Sequence, residues 1–162
     1  MATHAATRNL SGLARALAQH GVMPEGDAES LQNQAQSAGI TFVEQVLTSK
    51  RLSANQVAVF GARAFGVPLL DLSSFDFDQF PKEFFDARMS QARRVLPLAK
   101  RGNRLFVAVS DPANLQAIEE VRFKTNLVVD PVVVEDDKLG QAIHRILEAS
   151  GATLKDAANL ED

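Results

Sequence analysis

The chain repeats itself. Offset by 29 residues, Leu13 falls on Phe42, Leu17 on Val46, Met23 on Leu52, Ala28 on Val57, Leu31 on Phe60 and Ala35 on Ala64. Pro24 falls on Ser53, where the second helix of each copy starts. A helix-turn-helix unit of this length cannot bury its apolar face alone, so the repeat calls for two units packed on each other. The spacing inside each unit is helical. Leu10, Leu13, Ala14 and Leu17 form one stripe, and Ala28, Leu31, Ala35 and Ala38 form another. Phe42, Val43, Val46 and Leu47 mark a short third helix. Ser53-Ala-Asn-Gln56 is a capping-box pattern that opens a fourth. Gly21, Gly39 and Gly66, the last followed by Pro68, supply the stops.

After Gly66 the character changes. Residues 67–80 read as a linker that lies on the surface and tucks some apolar side chains down. Its Phe75-Asp-Phe77-Asp-Gln-Phe80 alternation also fits a short edge strand. From Pro81 the pattern is mixed. A helix is expected from Pro81 to about Gln91, then a strand from Val95 to Ala99, placed at an edge by Pro97. Lys100-Arg101-Gly102-Asn103 supplies a turn, and Leu105 to Val109 returns as the second strand of a hairpin. Asp111 caps the next helix with Pro112 at its first position. Leu127 to Val134 reads as a third strand, rich in valine and expected to be well covered. Asp136 caps a last helix. Parallel pairing of the second and third strands would give a right-handed crossover.

The expected fold class is therefore α+β. A helical subdomain of two helix-turn-helix repeats spans 9–66, and a small three-stranded mixed-sheet subdomain spans 81–150. Residues 1–8 are expected as a flexible N-terminus and 151–162 as a tail.

Composition removes most chemistry. Among 162 residues there is no cysteine, hence no thiolate ligand or nucleophile, and the three histidines are scattered. No Gly-x-x-x-x-Gly-Lys-Ser/Thr loop cradles a phosphate in this chain. Asp76 and Asp78 are spaced like paired carboxylates but lack further ligands nearby. His20 at a helix end, and Glu135, Asp136 and Asp137 at a helix start, read as partners of the helix dipole. No catalytic residue, cofactor or metal is expected. A net charge of −3 argues against nucleic acid. No apolar run reaches the ~18 residues of a membrane span, and no signal peptide leads the chain, so a cytoplasmic location is expected. Arg93, Arg94, Lys100, Arg101 and Arg104 fall close together without an acid, as a basic hairpin patch or a solvated tip.

Three segments together resemble a known family. They are Phe65-Gly66-Val67-Pro68-Leu69-Leu70-Asp71-Leu72, Val95-Leu96-Pro97-Leu98 and Asn103-Arg104-Leu105-Phe106-Val107-Ala108-Val109-Ser110-Asp111-Pro112. With the two helical repeats, they resemble the N-terminal, MshEN-like regulatory region of type IV pilus assembly ATPases of the PilB type, and more broadly the leading domain of type II secretion ATPases. The resemblance covers roughly residues 9–150. It implies a hexameric ATPase motor following the tail, absent from this chain, at the inner face of the membrane. It also implies a cyclic di-GMP motif on the helical repeats, each copy opening Arg-Leu-Gly and closing in Gln.

At those positions this chain has Gly12-Leu13-Ala14 and Ala35 in the first repeat, and Thr41-Phe42-Val43 and Ala64 in the second. The apolar framework is kept and the polar contacts are not. Each lost charge-assisted contact to a phosphate would cost about 1.5–3 kcal/mol. Cyclic di-GMP is therefore expected to bind weakly or not at all. The resemblance implies instead a docking domain for a PilZ-type adaptor protein, which also meets the motor of its own chain; a direct cyclic di-GMP receptor is the alternative. For the adaptor surface, two sets are candidates: Arg15, Gln19 and Val22 on the first repeat, and Phe75, Phe77 and Phe80 on the linker.

Overall fold

A computed structural model describes residues 10–149. The expected N-terminus 1–8 and tail 151–162 lie outside the described residues. Four helices come first: α1 (Gly12–Gln19), α2 (Glu25–Ala38), α3 (Phe42–Thr48) and α4 (Ala54–Phe65). The starts of α2 and α4 keep the 29-residue offset. Leu13, Ala14, Leu17, Met23, Ala28, Leu31, Val43, Val46 and Val57 close into one apolar cluster drawn from all four helices. The expected capping box is present at Ser53 and Gln56. A second one joins Thr41 and Glu44, whose carboxylate accepts from the Thr41 N–H at 2.9 Å while Thr41 Oγ1 accepts from the Glu44 N–H at 3.1 Å.

The sheet follows. Strands β1 (Val95–Arg101), β2 (Arg104–Val109) and β3 (Val128–Val133) lie in that order, with β1–β2 antiparallel and β2–β3 parallel. Helix α5 (Ala87–Arg93) precedes β1, α6 (Leu115–Thr125) joins β2 to β3, and α7 (Asp136–Ala149) ends the described chain. Alternation sends Leu105, Val107 and Val109 of β2 to a core shared with Met89 of α5 and Ala117 and Val121 of α6. Ala108 goes to the other face, with Leu139, Ile143 and Leu147 of α7. Leu96 and Leu98 of β1, two residues apart, join Ala108 in that second core, and the β1–β2 register shifts between Pro97 and Ala99.

Several local expectations give way to side-chain hydrogen bonds. The helix expected from Pro81 to Gln91 is split: Lys82–Phe84 is a 3-10 turn, and Asp86 caps α5 by accepting from the Met89 N–H at 2.9 Å. The Phe–Asp alternation forms no strand, because Asp71 and Asp76 accept from the backbone N–H groups of Ser73 and Asp78 and fold 3-10 turns at Leu72–Ser74 and Phe77–Gln79. Helix α6 is capped by Asn114 rather than Asp111, whose carboxylate instead accepts from the Ala113 N–H at 2.9 Å. The hairpin turn is only Gly102-Asn103, because Lys100 and Arg101 already pair with Leu105 and Arg104. Gly102 has the positive φ (61°) that such two-residue turns require.

Pro97 does lie on an edge strand, as expected. β3 is less covered than its valines suggested, with Val128 exposed and Val129 to Val132 only half-buried. It is the other edge of the sheet. Leu69 bridges to Val133 there: the Leu70 N–H donates to the Val133 carbonyl at 2.9 Å, and the Val133 N–H donates to the Pro68 carbonyl at 2.8 Å.

Candidate functional site

The two subdomains meet at the loop Asp111-Pro112-Ala113-Asn114. Gly12 opens α1 at φ +54°, and a Cβ there would stand 3.2 Å from the Cβ of Ala113. Gly61 of α4 faces the ring of Pro112 at 3.2 Å in the same sense. Both helical repeats thus touch the loop that leads into α6.

Two adjoining grooves flank this contact. Gly12, Leu13, Ala14, Ala35 and Phe42 line one of about 300 Å³. Thr41, Phe42, Glu44, Arg93, Arg94 and Asp111 line part of the other, of about 610 Å³. Six of the eight positions of the degenerate motif therefore gather at the junction. The other two do not: Val43 is buried in the repeat core, and Ala64 lies on a different face.

Charges at the junction are already matched. Arg94 holds Asp136 bidentately, with Nη2–Oδ2 at 2.7 Å and Nε–Oδ1 at 3.2 Å, and reaches Glu44 Oε1 at 3.8 Å. Asp136 is 3% exposed. It is an ion-pair partner rather than the cap expected from sequence. Burial works against the charge on Arg94, but the hydrogen bonds to Asp136 outweigh it and raise the guanidinium's pKa. Arg93 pairs with Glu120 at 2.7 Å, and Arg104 with Asp130 at 2.7 Å. Of the two readings of the basic cluster, the geometry matches the solvated tip: three of the arginines pair with carboxylates, and Lys100 and Arg101 stand exposed at the hairpin end. Burial pushes the Asp111 carboxyl above the usual carboxylate range, and the Ala113 N–H only partly offsets this. Both lining cations are engaged, and the lining acids Asp111 and Glu44 repel phosphate.

A third groove, of about 500 Å³, opens on the repeats. His20, Val22, Leu52, Val59, Phe60 and Arg63 line most of it. Val22 is 41% exposed, and the His20 ring meets Phe60 edge-on with centroids 5.4 Å apart. Of the first candidate set, Val22 lines this groove. Arg15 is turned back, donating to the Leu10 carbonyl at 3.0 and 2.6 Å, and Gln19 is exposed outside the groove. Phe60 and Arg63 were not singled out from sequence. Phe60 stood in the repeat as the counterpart of Leu31, and the signal for Arg63 was its replacement of Gln34 of the first copy.

The linker phenylalanines cover the sheet core. Phe80 is 8% exposed beside Leu72 and Leu96, which removes it from any docking surface. Phe75 and Phe77 stack edge-on at 4.8 Å, half-buried, and line a hollow of about 300 Å³ against Lys138 and Arg145 of α7.

A helical repeat closed onto a small mixed sheet is the architecture of the N-terminal domains of two solved proteins. XpsE aligns with a TM-score of 0.64 at 22% identity, over 86% of this chain and 94% of that one. A structure of MshE with cdg aligns with a TM-score of 0.60 at 24% identity, over 84% and 99%. Residues 65–153 match the MshEN domain, and the chain belongs to that family. It is 42% identical to the type IV pilus assembly ATPase PilB of Pseudomonas aeruginosa over 87% of its length, and 34% identical to that of Acinetobacter baylyi over 80%. These alignments cover 25% and 22% of the two relatives, so the chain spans about a quarter of their length.

Proposed function

We propose that this chain is a non-catalytic regulatory and docking domain of a type IV pilus extension ATPase. Its helical repeats receive a PilZ-type adaptor protein, and its sheet subdomain relays that contact to the motor, at the cytoplasmic face of the membrane. One contrast carries this reading. The nucleotide-type framework at the junction offers no unengaged cation, whereas the repeats offer an open apolar groove around Val22 and Phe60. Apolar and aromatic groups flanked by arginine suit the centre of a protein interface. No helix among the described residues is long and apolar enough to cross a membrane.

Calorimetry with a purified PilZ-type adaptor tests the reading. Val22→Glu is expected to abolish binding while leaving the melting temperature nearly unchanged. Loss of binding only in Phe77→Ala, with the fold intact, would move the dock to the linker. The second reading, a direct cyclic di-GMP receptor, is favoured by the gathering of Gly12, Leu13, Ala14, Ala35 and Phe42 and by the MshE structure with cdg. Micromolar or tighter binding of cyclic di-GMP by this chain would establish it.

A further inference from the structure

The groove around Val22 and Phe60 carries charge of one sign. One face of α4 forms its length: Asn55 and Gln56 in the first turn, Val59 and Phe60 a turn later, Arg63 and Ala64 in the last. From Asn55 to Arg63 this face runs about 12 Å. No aspartate or glutamate lines the groove among the described residues. Glu135 comes to its rim, where the Asn55 amide donates to it at 3.5 Å, but Lys138 pairs with that carboxylate at 3.4 Å.

Arg63 is exposed, and among the described residues it makes neither a hydrogen bond nor an ion pair. The sequence explains why. Three and four residues to either side of it stand Phe60, Val59, Gly66 and Val67, so α4 offers it no acid. Arg93, Arg94 and Arg104, by contrast, each hold a carboxylate at 2.7 Å.

We propose that the adaptor segment received in this groove is acidic as well as apolar. Its apolar side chains cover Val59 and Phe60, and a carboxylate about one helical turn further along takes the fork of Arg63. The proposal rests on the reading of this groove as the adaptor dock. A guanidinium gives two parallel N–H donors to one carboxylate. Such a fork offsets the desolvation of a carboxylate brought against apolar side chains. A basic segment would instead set like charges together as water leaves the groove.

Calorimetry of the chain with a purified PilZ-type adaptor, at about 50 mM and about 500 mM salt, tests this. Wild-type affinity is expected to fall about tenfold between the two. At low salt Arg63→Gln should bind about tenfold more weakly and lose most of that salt dependence, and Arg63→Glu about a hundredfold more weakly. Arg63→Lys keeps the charge without the fork and should fall between wild type and Arg63→Gln. Melting temperatures should be nearly unchanged, since Arg63 is exposed and unpaired. Arg63→Glu that binds like wild type overturns the proposal, as does an undiminished salt dependence in Arg63→Gln. A fall in melting temperature with binding intact would confine Arg63 to the dipole of α4 and overturn it too. If Val22→Glu abolishes binding and Arg63→Glu does not, the dock stands and only its acidic occupant is lost. If neither variant weakens binding, or the wild-type chain binds no adaptor, both readings fall.

Discussion

The guanidinium of Arg94 rests on Gly140, so close that a Cβ on that glycine would stand 2.6 Å from Nη1 and 3.0 Å from Nη2. In an ordinary helix interior, Gly→Ala gains about 1 kcal/mol. To admit the methyl the guanidinium must shift, straining its two bonds to Asp136. Gly140→Ala is therefore expected to destabilise the chain by about 1–3 kcal/mol, measured by urea denaturation.

Removing the cation exposes the other side of the same contact. Arg94→Ala leaves the buried Asp136 carboxylate without its partner and should cost about 3 kcal/mol. In that background Gly140→Ala has nothing to strike and should become stabilising. A double-mutant cycle that came out additive would show that the two residues do not act on each other.

The contact of α4 with the junction loop makes a parallel prediction. Gly61 is helical and faces a rigid ring, with Pro112 Cδ at 3.2 Å and Cγ at 3.3 Å from an added Cβ. Gly61→Ala should lower stability by about 1–2 kcal/mol. Gly61→Ala with Pro112→Ala should recover most of that loss. Thermal unfolding monitored by circular dichroism checks both.

Asp111 makes stability depend on pH. Its folded pKa lies above the ordinary value of 3.8, so between the two values the folded state binds more protons than the unfolded chain. Stability contributed by the neutral carboxyl is full below 3.8 and declines as pH rises toward the folded value. Asp111→Asn keeps an oxygen to accept from the Ala113 N–H and removes the half-buried charge. It should raise the melting temperature at neutral pH and leave it nearly unchanged at pH values below the ordinary carboxylate range.

The repeat was legible because its signal is redundant. The starts of α2 and α4 and the core positions Leu13 and Phe42, Leu17 and Val46, and Ala28 and Val57 all agree on one offset. The hairpin and the β2–α6–β3 unit were legible from Gly102, from the alternation of Leu105 to Val109, and from the valines of β3. The misses share a physical cause. Asp71, Asp76, Asp86 and Asp111 each use a carboxylate to accept a nearby backbone N–H, and such bonds override periodicity over a few residues. The junction was harder still. Arg94 and Asp136 are 42 residues apart in the chain, and nothing local distinguishes a helix-starting aspartate from an ion-pair partner.

The bridge between Leu69 and Val133 bears on the order in which the protein assembles. Its partners lie 64 residues apart in the chain, against 24 for Arg104 and Val128 in the parallel pair β2–β3. Closing the longer loop costs about 1 kcal/mol more entropy. The repeats, built from near neighbours in sequence, are placed to form early, and the sheet after them. The stub at Pro68 to Leu70 is expected to join the sheet after its hairpin, and the Leu70 amide to lose protection from hydrogen exchange before the amides that pair β1 with β2.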